Sequence, residues 1–190
     1  MLYRPLPLGF DSGIINFRLA LSSLAALLAG ACDNVVIYYS DQALPYSIPF
    51  IGGNVVNNLL PVRIYGNPLP RPVDPEDFAA ALSVPPWMTP AIKLTTQPTG
   101  ITRDLAVVLV FNPDFKDSGR EMVCKPGATP PTLPGDGKTL RISANLCYAG
   151  SSISWLYAAG PQPDSLEDPK FHRLFSDVMA SLLPKVRLRN

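Results

Sequence analysis

Thr139–Ala158 reads TLRISANLCYAGSSISWLYA, and the fold turns on its alternation. Leu140, Ile142, Ala144 and Leu146 fall on one side of an extended chain, and Arg141, Ser143, Asn145 and Cys147 on the other. Ala149-Gly150-Ser151 is a turn signal. Ser152–Ala158 then alternates again through Ile153, Trp155 and Tyr157. Two alternating runs around a glycine-containing turn predict a β-hairpin with an aromatic-rich inner face.

Working outward, Leu105–Phe111, LAVVLVF, has no charge and three valines. A continuous apolar run of that length predicts a central strand buried on both faces. Val35–Tyr39 and Leu60–Tyr65 read as further strands. In the second, Val62 and Ile64 alternate with Arg63. Ala91–Thr96 is a weaker extended segment. Ser40–Asn58, with Pro45, Pro49 and Gly52-Gly53, reads as loop, as does Lys116–Gly137. Gly135–Thr139, GDGKT, is similar to the end of a phosphate-binding loop. However, Thr132 stands where its first glycine should be, so it reads as a turn feeding a strand.

Two helices announce themselves by their starts. Asp74-Pro75-Glu76-Asp77 offers a capping aspartate, a first-turn proline and acids that favour the positive end of the helix dipole. Capping chemistry accounts for all three carboxylates, so a metal or catalytic role is not needed. After the polar linker Gly160–Glu167, Asp168-Pro169 repeats the start. Phe171, Leu174, Phe175, Val178 and Leu182 follow as one apolar stripe. The order β-β-α-β-β-β-α predicts an α+β fold, an antiparallel sheet of four to five strands with two helices packed on one face.

Composition narrows the function. The 47% apolar content of this 190-residue chain excludes a disordered protein, and its 22 prolines argue against a helical bundle. The net charge is +1, and the only basic cluster is Lys185, Arg187 and Arg189, which argues against a nucleic-acid partner. His172 lies off the apolar stripe with no serine or cysteine spaced to partner it. No catalytic residue, metal ligand or cofactor-binding residue is predicted, because no Cys/His cluster or nucleophile arrangement is present.

Phe17–Cys32, FRLALSSLAALLAGAC, is a different kind of segment. Arg18 precedes a run without charge from Leu19 to Ala31, and Ala29-Gly30-Ala31 lead into Cys32. A positive flank, an apolar run and a small-residue site form the layout of an export signal. The run is shorter than the about 20 residues of a membrane span, and it lacks the charged face that a helix of a small domain keeps. With a cysteine directly after the small residues, it resembles a bacterial lipoprotein signal, although Ala29 stands where such signals favour leucine. The resemblance implies cleavage of a signal peptide at 1–31 and a lipid on Cys32. It leaves 32–190 as a single periplasmic α+β domain on a short tether. Membrane lipid would be a partner through acylated Cys32. Asp33 resembles the inner-membrane retention signal of enterobacterial lipoproteins.

Removing Arg4, Arg18 and Asp11 with the leader leaves 14 basic and 14 acidic side chains, a neutral domain. With Cys32 acylated, Cys124 and Cys147 remain, and an oxidising compartment would pair them as a disulfide. Two free thiols in a cytosolic protein are the alternative. The expected function is a membrane-anchored envelope lipoprotein, a non-enzymatic module that binds an envelope protein or small ligand. The alternative is a small periplasmic, hydrolase-like enzyme whose site is assembled from distant residues.

Overall fold

The computed structural model describes residues 35–42, 48–88, 91–97, 104–114 and 119–183. Its elements are β1 (Val36–Gln42), α1 (Ile48–Asn54), β2 (Leu59–Tyr65), α2 (Pro75–Ala81), β3 (Lys93–Thr95), β4 (Leu105–Phe111), α3 (Arg120–Cys124), β5 (Thr139–Tyr148), β6 (Ser151–Pro161) and α4 (Pro169–Leu182). All lie within the unit Asn34–Asn190. The leader 1–31 and Cys32 lie outside the described residues.

The hairpin forms as its alternation predicts. β5 pairs antiparallel with β6, with Ala144 opposite Leu156 and Leu140 opposite Gly160. Ala149 and Gly150 both take positive φ, 49° and 77°, which gives the two-residue turn the twist that matches its strands. A register shift between Leu146 and Cys147 sets Leu146 against Ser154 and Cys147 against Ser152. The inner face differs from expectation. Leu156 and Ala158 join the main core, whereas Trp155 and Tyr157 pair with Asn145 and Ser143 on the opposite side. The strand also runs on to Pro161, through residues that read as linker.

The sheet has six strands, in the order β1-β6-β5-β4-β2-β3, and is mixed rather than antiparallel. The β1–β6, β6–β5 and β5–β4 pairs are antiparallel, but β2 runs parallel to both β3 and β4. The reason is local. The chain leaves β2, forms α2 and re-enters the sheet as β3, and a helical crossover returns the chain in the same direction. β4 lies between β2 and β5 with its side chains buried on both faces, apart from half-buried Ala106.

Helix count is the second correction. Four helices are present among the described residues, not two. α2 and α4 start as read: Asp74 accepts from the Glu76 amide at 2.8 Å and Asp168 from the Lys170 amide at 2.9 Å, each followed by proline. α1 and α3 arise inside segments that read as loop. α1 holds Ile48 and Ile51 in the core despite Gly52-Gly53, so burial overrides propensity.

One large apolar cluster lies on one side of the sheet. It takes Leu105, Val107, Leu109 and Phe111 from β4, Leu140, Ile142, Ala144 and Leu146 from β5, and side chains from α1, α2 and α4. At its centre Phe78 stands edge-on to Phe111, Phe171 and Phe175, with ring centres 5.3–5.5 Å apart. Phe171, Leu174, Phe175, Val178 and Leu182 are all buried, as the stripe predicts. Ser154 Oγ donates to the Leu182 carbonyl at 2.8 Å, fastening β6 to the end of α4. Gly66, which ends β2 at φ +79°, cannot be replaced without strain. A Cβ there would sit 2.8 Å from the Phe111 carbonyl oxygen.

Candidate functional site

The other side of the sheet is built differently. Arg63, Val108, Asn145 and Trp155 occupy one row across β2, β4, β5 and β6. Tyr65, Val110, Ser143 and Tyr157 occupy the next. Only Val108, Val110, Val123, Cys124 and Cys147 form a buried apolar cluster here, with Tyr65 against it. α3, which packs over β5 and β6, covers part of this face. With five residues and no capping side chain at Gly119, α3 is too short to persist alone. Cys124 and Cys147 are joined, with Cα atoms 5.4 Å apart, so the disulfide ties α3 to β5.

Beside the disulfide lies a buried polar network. Ser143 Oγ accepts from Asn145 Nδ2 at 3.2 Å and from Trp155 Nε1 at 3.3 Å, and Ser152 Oγ donates to Asn145 Oδ1 at 3.1 Å. Ser143 and Asn145 are fully enclosed. Buried polar groups that satisfy each other fix a unique arrangement, which suits a face with little apolar area. Ser143 spends its lone pairs on two N–H donors, so its environment does not activate it as a nucleophile. Further along, burial pushes the Tyr157 hydroxyl above its usual range, with Arg141 opposing and Tyr38 adding to the shift.

An open cleft of about 310 Å³ lies where β4 begins, next to the β5–β6 turn. Pro61, Arg63, Thr96, Asp104, Leu105 and Cys124 are among its lining residues. Two of the lining residues, Asp104 at φ 39° and Gly150 at φ 77°, have left-handed backbone, as does Ala149 beside Gly150 at φ 49°. The Asp104 carbonyl accepts from the Ala149 amide at 3.2 Å, which joins the start of β4 to the hairpin turn. Positive φ in a residue other than glycine costs energy and is held only by its surroundings. Arg63 Nε is sealed from solvent and has no hydrogen-bond partner, the one such side-chain atom among the described residues. Arg63 is otherwise half-buried and forms no ion pair among the described residues.

Of the residues singled out from the sequence, Cys124 and Cys147 are brought together, and Cys32 lies outside the described residues. His172 is exposed on α4, edge-on to Phe171 at 5.6 Å, and makes no side-chain hydrogen bond. The acidic cluster needs a partial correction. Asp74 caps α2, but Glu76 reaches across to the end of β3. It accepts from Thr95 Oγ1 at 2.8 Å and from the Thr96 amide and Oγ1 at 2.6 Å each. The Thr96 hydroxyl, then the Thr96 amide and the Thr95 hydroxyl, hold the Glu76 carboxyl below its usual range. Arg63 was legible only as a polar position in an alternating strand, and its unpaired Nε is a tertiary fact. Among the described residues no group of three or more His, Cys, Asp or Glu could hold a metal, and no helix is long and apolar enough to cross a membrane. No protein-family model matches this chain, and neither a curated protein nor a solved structure matches it.

Proposed function

We propose that this chain is a membrane-anchored envelope lipoprotein whose folded domain is a non-enzymatic binding or assembly module. The observation that carries the reading is the Cys124–Cys147 bond. Structural disulfides persist in oxidising compartments and are rare in the cytosol. It agrees with the order of charge, apolar run, small residues and cysteine in Phe17–Cys32, which shares no residue with it. On this reading acylated Cys32 holds the domain at a membrane facing the periplasm, and Asp33 favours the inner membrane. The neutral charge of 32–190 and the enclosed, doubly bonded Ser143 support binding over hydrolysis.

Intact-mass measurement of the protein extracted from membranes of its native host tests this. The expected mass lacks residues 1–31, carries acyl chains on Cys32 and is two hydrogens short of the reduced form. Cys32→Ala should accumulate as an unlipidated precursor. Full-length protein with three free thiols in the cytosolic fraction would sink the reading.

A further inference from the structure

The cleft beside β4 holds one cation and one anion that are not paired with each other. Arg63 and Asp104 both line it, and neither side chain has an ion-pair partner among the described residues. Arg63 Nε is closed off from water without an acceptor, so the guanidinium has lost part of its hydration and gained nothing in return. Native proteins leave few such groups, and each calls for an explanation. Nε itself is out of reach from the cleft. The terminal N–H groups of the same half-buried guanidinium also have no protein acceptor among the described residues. A carboxylate in the cleft would meet those, in a partly desolvated setting that strengthens the pair.

Asp104 restricts what that carboxylate can belong to. A simple anion would meet its negative charge, whereas a ligand with a cationic end would be drawn to it. The hydroxyl and amide of Thr96 are already given to Glu76, so the two charges are the polar handles left by these side chains. Pro61, Leu105 and Pro126 add apolar wall. The volume is at the small end of ligand sites.

We propose that this cleft binds a small zwitterion, a free α-amino acid or a short peptide, with its carboxylate on Arg63 and its ammonium group toward Asp104. This deepens the binding-module reading by naming the ligand class, and it does not depend on the anchor. Cys32 acylation can fail with the cleft still binding, and the reverse. Asp104 acts as the selector and Arg63 as the anchor point. The strained backbone of Asp104 is held in place by the Ala149 amide.

The test is titration of the disulfide-bonded full chain with the twenty proteinogenic amino acids and glycylglycine. Propionate and propylamine serve as probes that each carry half of the charge pattern. Calorimetry and the melting midpoint are the readouts. At least one zwitterion should bind saturably at millimolar concentration or below, and both half-probes more weakly. Arg63→Met keeps the stem and removes the fork. It should weaken that zwitterion about tenfold to a hundredfold without lowering the melting midpoint of the free protein, because none of the five N–H groups it deletes has a protein acceptor among the described residues. Asp104→Asn, at an exposed position, should weaken the zwitterion and narrow its advantage over propionate. The proposal is overturned if no zwitterion binds, if propionate binds as well as any zwitterion, or if Arg63→Met leaves binding unchanged. It is equally overturned if Arg63→Met destabilises the free protein, for Arg63 is then an ordinary structural residue.

Discussion

Leu146 and Cys147 are neighbours on β5, yet they enter two different interiors. Leu146 joins the cluster under α1, α2 and α4, where phenylalanine rings meet edge to face and nearly every contact is apolar. Cys147 enters a face held by one covalent bond, a serine–asparagine–tryptophan network and a short apolar patch. The first interior gains stability from area removed from water, which is cheap in specificity and tolerant of small shifts. The second gains it from a few directional links, so each link matters and unmatched groups such as Arg63 Nε stand out. A binding cleft belongs on the second kind of face, because an apolar core has no polar group to offer.

The sharpest way to break this contrast is to damage the apolar side first. Phe175→Ala removes a ring buried among Phe78, Phe111 and Phe171 and should cost about 3–5 kcal/mol in denaturant unfolding. A loss below 1 kcal/mol would mean that the aromatic cluster does not dominate that face. On the other side, opening the disulfide should come next. The bond closes a 23-position separation, and losing it should cost about 3 kcal/mol in the chain-entropy estimate, read as the shift in urea midpoint with and without reductant. If reduction leaves the midpoint in place, α3 is held by its own packing and the covalent account of this face fails.

Ser143→Ala should cost less, about 1–3 kcal/mol, because it removes the acceptor shared by Asn145 Nδ2 and Trp155 Nε1 inside a closed space. A neutral result would show that water replaces the hydroxyl. The smallest effect is expected at Glu76, which bridges α2 to β3 in a partly solvated position. Its folded-state pKa lies below its ordinary value of 4.5. The stability it contributes is therefore fully present above pH 4.5 and is lost as pH falls through the folded pKa. Glu76→Gln should destabilise at neutral pH, and the gap from wild type should close on acidification. A gap independent of pH would assign the effect to shape instead of charge.

The hairpin, the central strand and the two capped helices were legible because each is encoded by its own residues. Alternation places side chains on two sides of a strand, and aspartate before proline starts a helix wherever it stands. The pairing of Cys124 with Cys147 was legible by arithmetic, once Cys32 was set aside. α1 and α3 were not legible: Gly52-Gly53 in α1 and the brevity of both argue against helix, and only burial of Ile48, Ile51, Val123 and Cys124 makes them form. The side taken by Trp155 and Tyr157 does not follow from apolar character alone. The bulge at Leu146/Cys147 and the small residues Ala158 and Gly160 beneath α4 decide it instead.

Local chemistry in this chain therefore determined which segments are strands and where the capped helices begin. Those choices depend on neighbours within a few positions, and the sequence lists those neighbours directly. Strand order, the parallel course of β2 with β3 and β4, and the meeting of Arg63 with Asp104 were decided only by the folded sheet. Each joins residues far apart in the chain, and many pairings satisfy the same local pattern. The one observed is the arrangement that buries Phe78, Phe111, Phe171 and Phe175 in a single cluster while leaving a cleft on the opposite face.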